Sequence, residues 1–221
     1  MPRITEEGRY RQHRGKGHGA DYKPWIKIRD FNSLGMAANV IDYKHGRSMQ
    51  LLSQGEVYYY YLLRWQDDVV DIREQFPLDL VDTVAIAHKL EIMHPKDDKT
   101  RMTTDLLVTK KNGELEAYSI KSDRSELDNP RTAEKLLIEK LYWESKGVIF
   151  HIKFKANVNK TLVSNIIDVV SCYDANKVKT IEDAIRHKIA IKEFVVDMES
   201  APIKYSELKN LLLKKGDERN E

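Results

Sequence analysis

The stretch Thr104-Asp-Leu-Leu-Val-Thr-Lys-Lys-Asn-Gly-Glu-Leu-Glu-Ala-Tyr-Ser-Ile-Lys121 decides how the chain folds. Two runs with strand composition, Asp105–Thr109 and Glu114–Lys121, flank Lys110-Lys-Asn-Gly113. Asn-Gly readily takes the positive φ angles of a tight hairpin turn, so the runs are expected to pair antiparallel. Downstream, Asn129 is placed to cap a helix and Pro130 fits its first position. The helical pattern runs to about Lys146, where Gly147 suits the stop. Val148–Phe154 then reads as another strand. Strand, helix and strand at this spacing form a βαβ unit, which adds a parallel pair to the antiparallel hairpin. The expectation is an α/β (α+β) fold with a mixed central sheet flanked by helices.

Upstream, residues 53–66 carry Val57, Tyr60, Tyr61 and Arg64 at helical spacing. Ile72–Leu78 reads as extended, with Pro77 favouring an edge position. A short helix is expected from Asp82 to Lys89, and a polar loop ending in Lys96-Asp-Asp-Lys-Thr100. Trp25–Ile28 and Asn39–Tyr43 look like short strands, with turns at Asn32–Gly35 and Lys44–Arg47. After residue 155 strand signals fade, and residues 159–173, 180–192 and 204–215 look helical. The expected division is a basic arm and catalytic domain over 1–155, and a small, mainly helical, partner-binding region over 156–221.

With 221 residues, 41% hydrophobic and 33% charged, the chain can bury a core without staples. Its single cysteine, Cys172, excludes an internal disulfide framework or a zinc-cysteine cluster. No apolar run is long enough to span a membrane, and the polar, basic start lacks the apolar stretch of a signal peptide. A reducing cytoplasm is the expected compartment. The net charge of +2 is uninformative, but residues 1–30 hold eight Lys/Arg against four Asp/Glu. Arg9, Arg11, Arg14 and Lys16 lie among glycines and histidines. That reads as a mobile arm able to track a phosphate backbone, or as a plain solvated tail.

Three residues stand out chemically. Glu56 lies at the start of a helix, Asp105 at the start of a strand, and Lys121 at the end of the next strand. Two carboxylates suit the hard, oxygen-preferring Mg²⁺ beside a phosphodiester, and a lysine adds positive charge near the reacting phosphate. That is the layout of restriction-endonuclease-like nucleases. Each residue also has a duller explanation. Ser53-x-x-Glu56 matches a helix capping box, Asp105 can be a strand-start carboxylate, and Lys121 a solvated strand end. Alternation puts Ser119 and Lys121 on one face. Most such nucleases carry an acid two residues before the lysine; here that place holds Ser119, a candidate orienter of metal. Glu56 is the natural supplier of the missing carboxylate and Glu116 the fallback, although strand alternation points Glu116 to the other face.

Several strings resemble TnsA, the endonuclease subunit family of heteromeric Tns transposases. They are Gly17-His-Gly-Ala-Asp-Tyr-Lys-Pro-Trp25, Leu51-Leu-Ser-Gln-Gly-Glu56, Asp71-Ile-Arg-Glu-Gln-Phe-Pro-Leu78, His94-Pro95, Thr104–Val108, Arg131-Thr-Ala-Glu-Lys-Leu136 and Tyr142-Trp143. The resemblance covers roughly residues 8–155. It implies a restriction-endonuclease-like core and a site at Glu56, Asp105 and Lys121 that uses Mg²⁺, with Mn²⁺ as a substitute. In that family the place of Ser119 is held by glutamine. The resemblance also implies a job: nicking the 5′ ends of a transposon while a TnsB-like recombinase cuts and joins the 3′ ends, with a TnsC-like AAA ATPase as regulator. Two other readings are a DNA-binding architectural subunit of the same complex with little or no activity, and a free-standing restriction or repair nuclease.

Overall fold

The computed structural model describes residues 4–30, 37–95 and 98–210. The chain divides into two units, one ending at Val158 and the other beginning at Asn159. The first opens with helix α1 (Glu6–Arg11), then a hairpin of β1 (Ala38–Ile41) and β2 (Ser48–Leu51), helix α2 (Gln54–Arg64), strand β3 (Val69–Pro77) and helix α3 (Leu80–Lys89). It continues through β4 (Thr103–Lys110), β5 (Leu115–Lys121), helix α4 (Pro130–Ser145) and β6 (Ile149–Phe154). The main sheet has the order β3-β4-β5-β6, antiparallel except for the parallel β5–β6 pair. The mixed sheet flanked by helices is the architecture expected of a restriction-endonuclease-like core.

The local rules acted as the sequence implied. Gly113 closes the β4–β5 turn with a φ of 86° and an N–H bond to the Lys110 carbonyl. The Asn129 side chain accepts from the Thr132 N–H, and Pro130 opens α4. Strand alternation then sorts the core onto two faces. Leu106, Val108, Tyr118 and Ile120 pack with Tyr60 and Leu63 of α2. Leu107 and Ala117 pack on the other face with Tyr142 and Trp143 of α4.

Buried ion pairs join α2, the β1–β2 hairpin and β3. Arg64 is fully buried, with Nε 3.0 Å from Asp42 Oδ1 and Nη1 bonded to the Val70 carbonyl. Arg47 meets Glu74 of β3 through two bonds of 2.8 and 2.7 Å. Removing one member of such a pair leaves a buried charge uncompensated. Arg64 therefore ties the end of α2 to the β1–β2 turn and to the Val70 carbonyl of β3, while Arg47 ties that turn to β3.

The N-terminal segment departs from expectation. Residues 4–30 are not an extended arm but a docked layer. Trp25–Ile28 forms no strand; Trp25 is 1% exposed and its N–H bonds the Gln75 carbonyl of β3. The Tyr22 hydroxyl donates to the Glu74 carbonyl. Gly15, with a φ of 73°, lies so close to Pro77 that a Cβ there would stand 2.3 Å from its Cγ. The glycines expected to loosen this segment thus allow it to close on the sheet. Strand β2, which pairs with β1, was not anticipated from the sequence. The turn expected at Asn32–Gly35 and part of the Lys96–Thr100 loop lie outside the described residues.

The second unit holds α5 (Lys160–Val170) and α6 (Ile181–Ala190). Val163, Ile166, Val169, Ile185 and Ile189 are buried. Asn165 organises the following segment, donating to the Met198 and Ala201 carbonyls and accepting from the Ile203 N–H. The helix expected at 204–215 is seen from 205 to 210 and then leaves the described residues. Among the described residues, no helix is long and apolar enough to cross a membrane.

Candidate active site

Strands β4 and β5 pair from Thr109↔Leu115 to Leu106↔Tyr118 and then part. Asp105 stands at the fork. The Ile120 N–H is bonded there by Asp105 Oδ2 at 2.7 Å. A side chain thus takes the place of a ladder acceptor, and the two strand ends can open around a cavity. Continuing the register puts Ser119, not Lys121, directly opposite Asp105. Lys121 lies two residues further along the same face.

Glu56 arrives from the other face of the sheet, at the first turn of α2. Gly55 makes this possible: a Cβ at that position would lie 2.9 Å from Ile120 Cγ2, so a side chain would push the helix off β5. Ser53 caps α2, its hydroxyl accepting from the Glu56 N–H at 3.1 Å. The reciprocal half of the capping box is altered. Glu56 Oε2 accepts from Leu52 N–H at 2.8 Å and from Gln75 Nε2 at 3.1 Å. The carboxylate therefore ties α2 to β3 as well as to its own helix start.

Glu56, Asp105 and Lys121 line one cavity of about 400 Å³, together with Ser122, Glu126 and Lys155. Burial pushes the Glu56 carboxyl up, and the neighbouring Asp105 pushes it the same way. Asp105 is raised by burial too, opposed by the Lys121 charge and the Ile120 N–H bond. A buried acid and a half-buried one that raise each other's cost of ionising are a poor arrangement for stability and a good one for a divalent cation. The Leu52 N–H and Gln75 amide bonds fall on Oε2 of Glu56, and the Ile120 N–H bond on Oδ2 of Asp105. Among the described residues, no group of three or more His, Cys, Asp or Glu side chains is placed to hold a metal. Mg²⁺ commonly takes one or two carboxylates and leaves its other positions to water and phosphate, a demand that the Glu56–Asp105 pair can meet. Ser119 is buried and accepts from Lys121 Nζ at 3.2 Å, so it orients the lysine.

Two acids escaped the sequence reading. Glu139 of α4 is buried and lines a second cavity of about 350 Å³ that shares Asp105, Lys121 and Glu126 with the first and includes Ser119. Its carboxyl is pushed up to about 8 by burial and by Asp105. The Thr104 hydroxyl donates to it at 2.7 Å while accepting from Trp143 Nε1. A signal existed: Leu136, Glu139 and Trp143 share one helix stripe, so an acid sits where a core residue belongs. Glu126, the other, lies in a short helical turn whose composition carries no periodic mark. Glu116 is engaged elsewhere, with Tyr118, Lys110 and His151.

The basic residues of the N-terminal segment separate. Arg14 is 2% exposed, paired with Asp30 and bonded to the Trp25 carbonyl, so it is a structural cation. Arg9 lies over the Trp25 ring, Arg11 pairs with Glu7 at the surface, and Lys16 is exposed.

Residues 66–154 match the family described as TnsA-like endonuclease, N terminal. Over 161 residues the chain is 37% identical to the Escherichia coli transposon Tn7 transposition protein TnsA, an alignment covering 72% of this chain. It spans 59% of the length of that relative. The mixed sheet, the carboxylates at its fork and this match together place the chain among the TnsA-like endonucleases.

Proposed function

We propose that this chain is the endonuclease subunit of a Tn7-like transposase, a Mg²⁺-dependent enzyme that nicks the 5′ ends of its transposon. The observation that carries the reading is the meeting of Glu56 and Asp105, from opposite sides of the sheet, in one cavity with Lys121. Mg²⁺ held by the two carboxylates would supply Lewis acidity to the phosphate and lower the pKa of a bound water. The chain's own groups do the rest. Lys121, held by Ser119, places a fixed positive charge beside the carboxylates. Asp105, anchored by Ile120 N–H, keeps the cavity at the point where the strands diverge. The likeness to TnsA supports a TnsB-like recombinase and a TnsC-like ATPase as partners.

The test is Glu56→Gln, assayed for 5′-strand nicking of transposon-end DNA with the partner recombinase present. Glutamine also serves in a capping box, so the helix start survives while the charge needed by the metal is lost. Nicking is expected to fall to background at every Mg²⁺ concentration. Wild-type nicking by this variant leaves Glu56 as a helix cap and removes it from the metal site.

Arg11 and Lys16 are exposed and Arg9 lies half-buried over Trp25, and DNA phosphates are the partners proposed for these three. Neutralising all three is expected to weaken DNA binding and flatten its salt dependence, with the cleavage position unchanged. An unchanged salt slope would remove this segment from the DNA interface.

A further inference from the structure

The Asp71–Leu78 string contains a residue that neither packing nor the carboxylate pair accounts for. Gln75 sits in the middle of β3 with a φ of 48°, in the left-handed region that bulky residues avoid. No residue is inserted there: the pairings Glu74↔Leu106 and Phe76↔Thr104 keep one register on both sides. Gln75 therefore faces Asp105 across the ladder. The twist turns its carbonyl out to Trp25 N–H at 3.2 Å. Its buried side chain donates from Nε2 to Glu56 Oε2, while Oε1 accepts from the Thr103 hydroxyl at 3.3 Å.

The Trp25 contact does not explain a glutamine. It uses the backbone carbonyl, which any residue supplies, and glycine or asparagine would adopt this φ with less strain. What the glutamine adds is reach and an amide. One end is pinned to Thr103 at the start of β4, and the other holds the Glu56 carboxylate. Strained backbone of this kind persists where surrounding structure over-determines it, and such places concentrate at functional sites.

We propose that Gln75 is a positioning residue that fixes the orientation of Glu56 relative to Asp105, so that the carboxylate pair is set for a divalent cation before the cation arrives. This rests on the metal-dependent nuclease reading. An amide suits the task because it donates to one oxygen of Glu56 without competing for the metal's charge. Outer partners of metal ligands act in this way generally, and their loss costs about 10–100-fold in metal affinity or activity.

The experiment uses the full chain with Gln75→Asn and Gln75→Gly, Mn²⁺ titrated by electron paramagnetic resonance, and thermal melting alongside. Both replacements fit the left-handed backbone, and neither reaches Glu56. The expected result is a melting temperature at or above wild type with Mn²⁺ affinity reduced by about 10-fold or more. Nicking is expected to recover in part at raised Mg²⁺. A variant that melts lower is titrated at a temperature where circular dichroism shows it folded. Wild-type Mn²⁺ affinity in both variants overturns the inference while leaving the nuclease reading standing, provided Glu56→Gln abolishes the binding. A wild-type chain that binds no Mn²⁺ overturns both.

Discussion

Asp105→Asn is expected to abolish 5′-strand nicking, by at least roughly 10³-fold, the upper end of the scale for losing one transition-state donor. It should do so while leaving the metal-free protein as stable as wild type or more so. The amide oxygen can still accept from Ile120 N–H, so the fork between β4 and β5 is kept. What disappears is a carboxyl whose ionisation is disfavoured by its surroundings and which disfavours that of Glu56 in turn. A site that opposes stability when empty is a mark of function rather than of architecture. Thermal melting without metal and a nicking time course decide the matter together. Residual nicking near wild type removes Asp105 from the chemistry, and a large drop in melting temperature makes it a structural residue.

Lys121→Ala is expected to slow nicking by at least ~100-fold, with metal affinity unchanged or tightened. The sign follows from position. Lys121 shares the cavity with Asp105 and its charge favours the ionised carboxylate, but a cation cannot be a ligand for a cation. Removing it takes away repulsion of the incoming metal and also the positive charge available to the phosphate. Lost Mn²⁺ binding in this variant, or unaltered cleavage, contradicts the assignment.

What the sequence disclosed, and what it hid, follows from the range of the interactions involved. The β4–β5 turn, the Asn129 cap and the Gly147 stop are local chemistry, and they stand where local rules put them. The two-faced core followed from alternation. Glu56, Asp105 and Lys121 were singled out by residue type at the ends of neighbouring elements, and the fold brings all three to one cavity. Glu139 and Gln75 were missed for a different reason. Each is defined by what the fold brings beside it: Asp105 in one case, and Glu56 with Thr103 in the other. No spacing along the chain encodes those neighbours. The N-terminal segment misled because its composition resembles a loose tail, whereas Arg14, Tyr22 and Trp25 each find a buried partner more than ten residues away.

That docked segment also bears on how the protein stays dispersed. Strand β3 ends the main sheet, and an end strand offers unpaired peptide groups to any passing chain. Trp25 N–H occupies the Gln75 carbonyl, Tyr22 occupies that of Glu74, and Gly15 closes over Pro77. The residues that look most dispensable in the sequence are therefore a guard rail along an adhesive border. Shortening the protein at its start would trade a basic segment for a sheet open to self-association, and a resulting loss of soluble material would say nothing about catalysis.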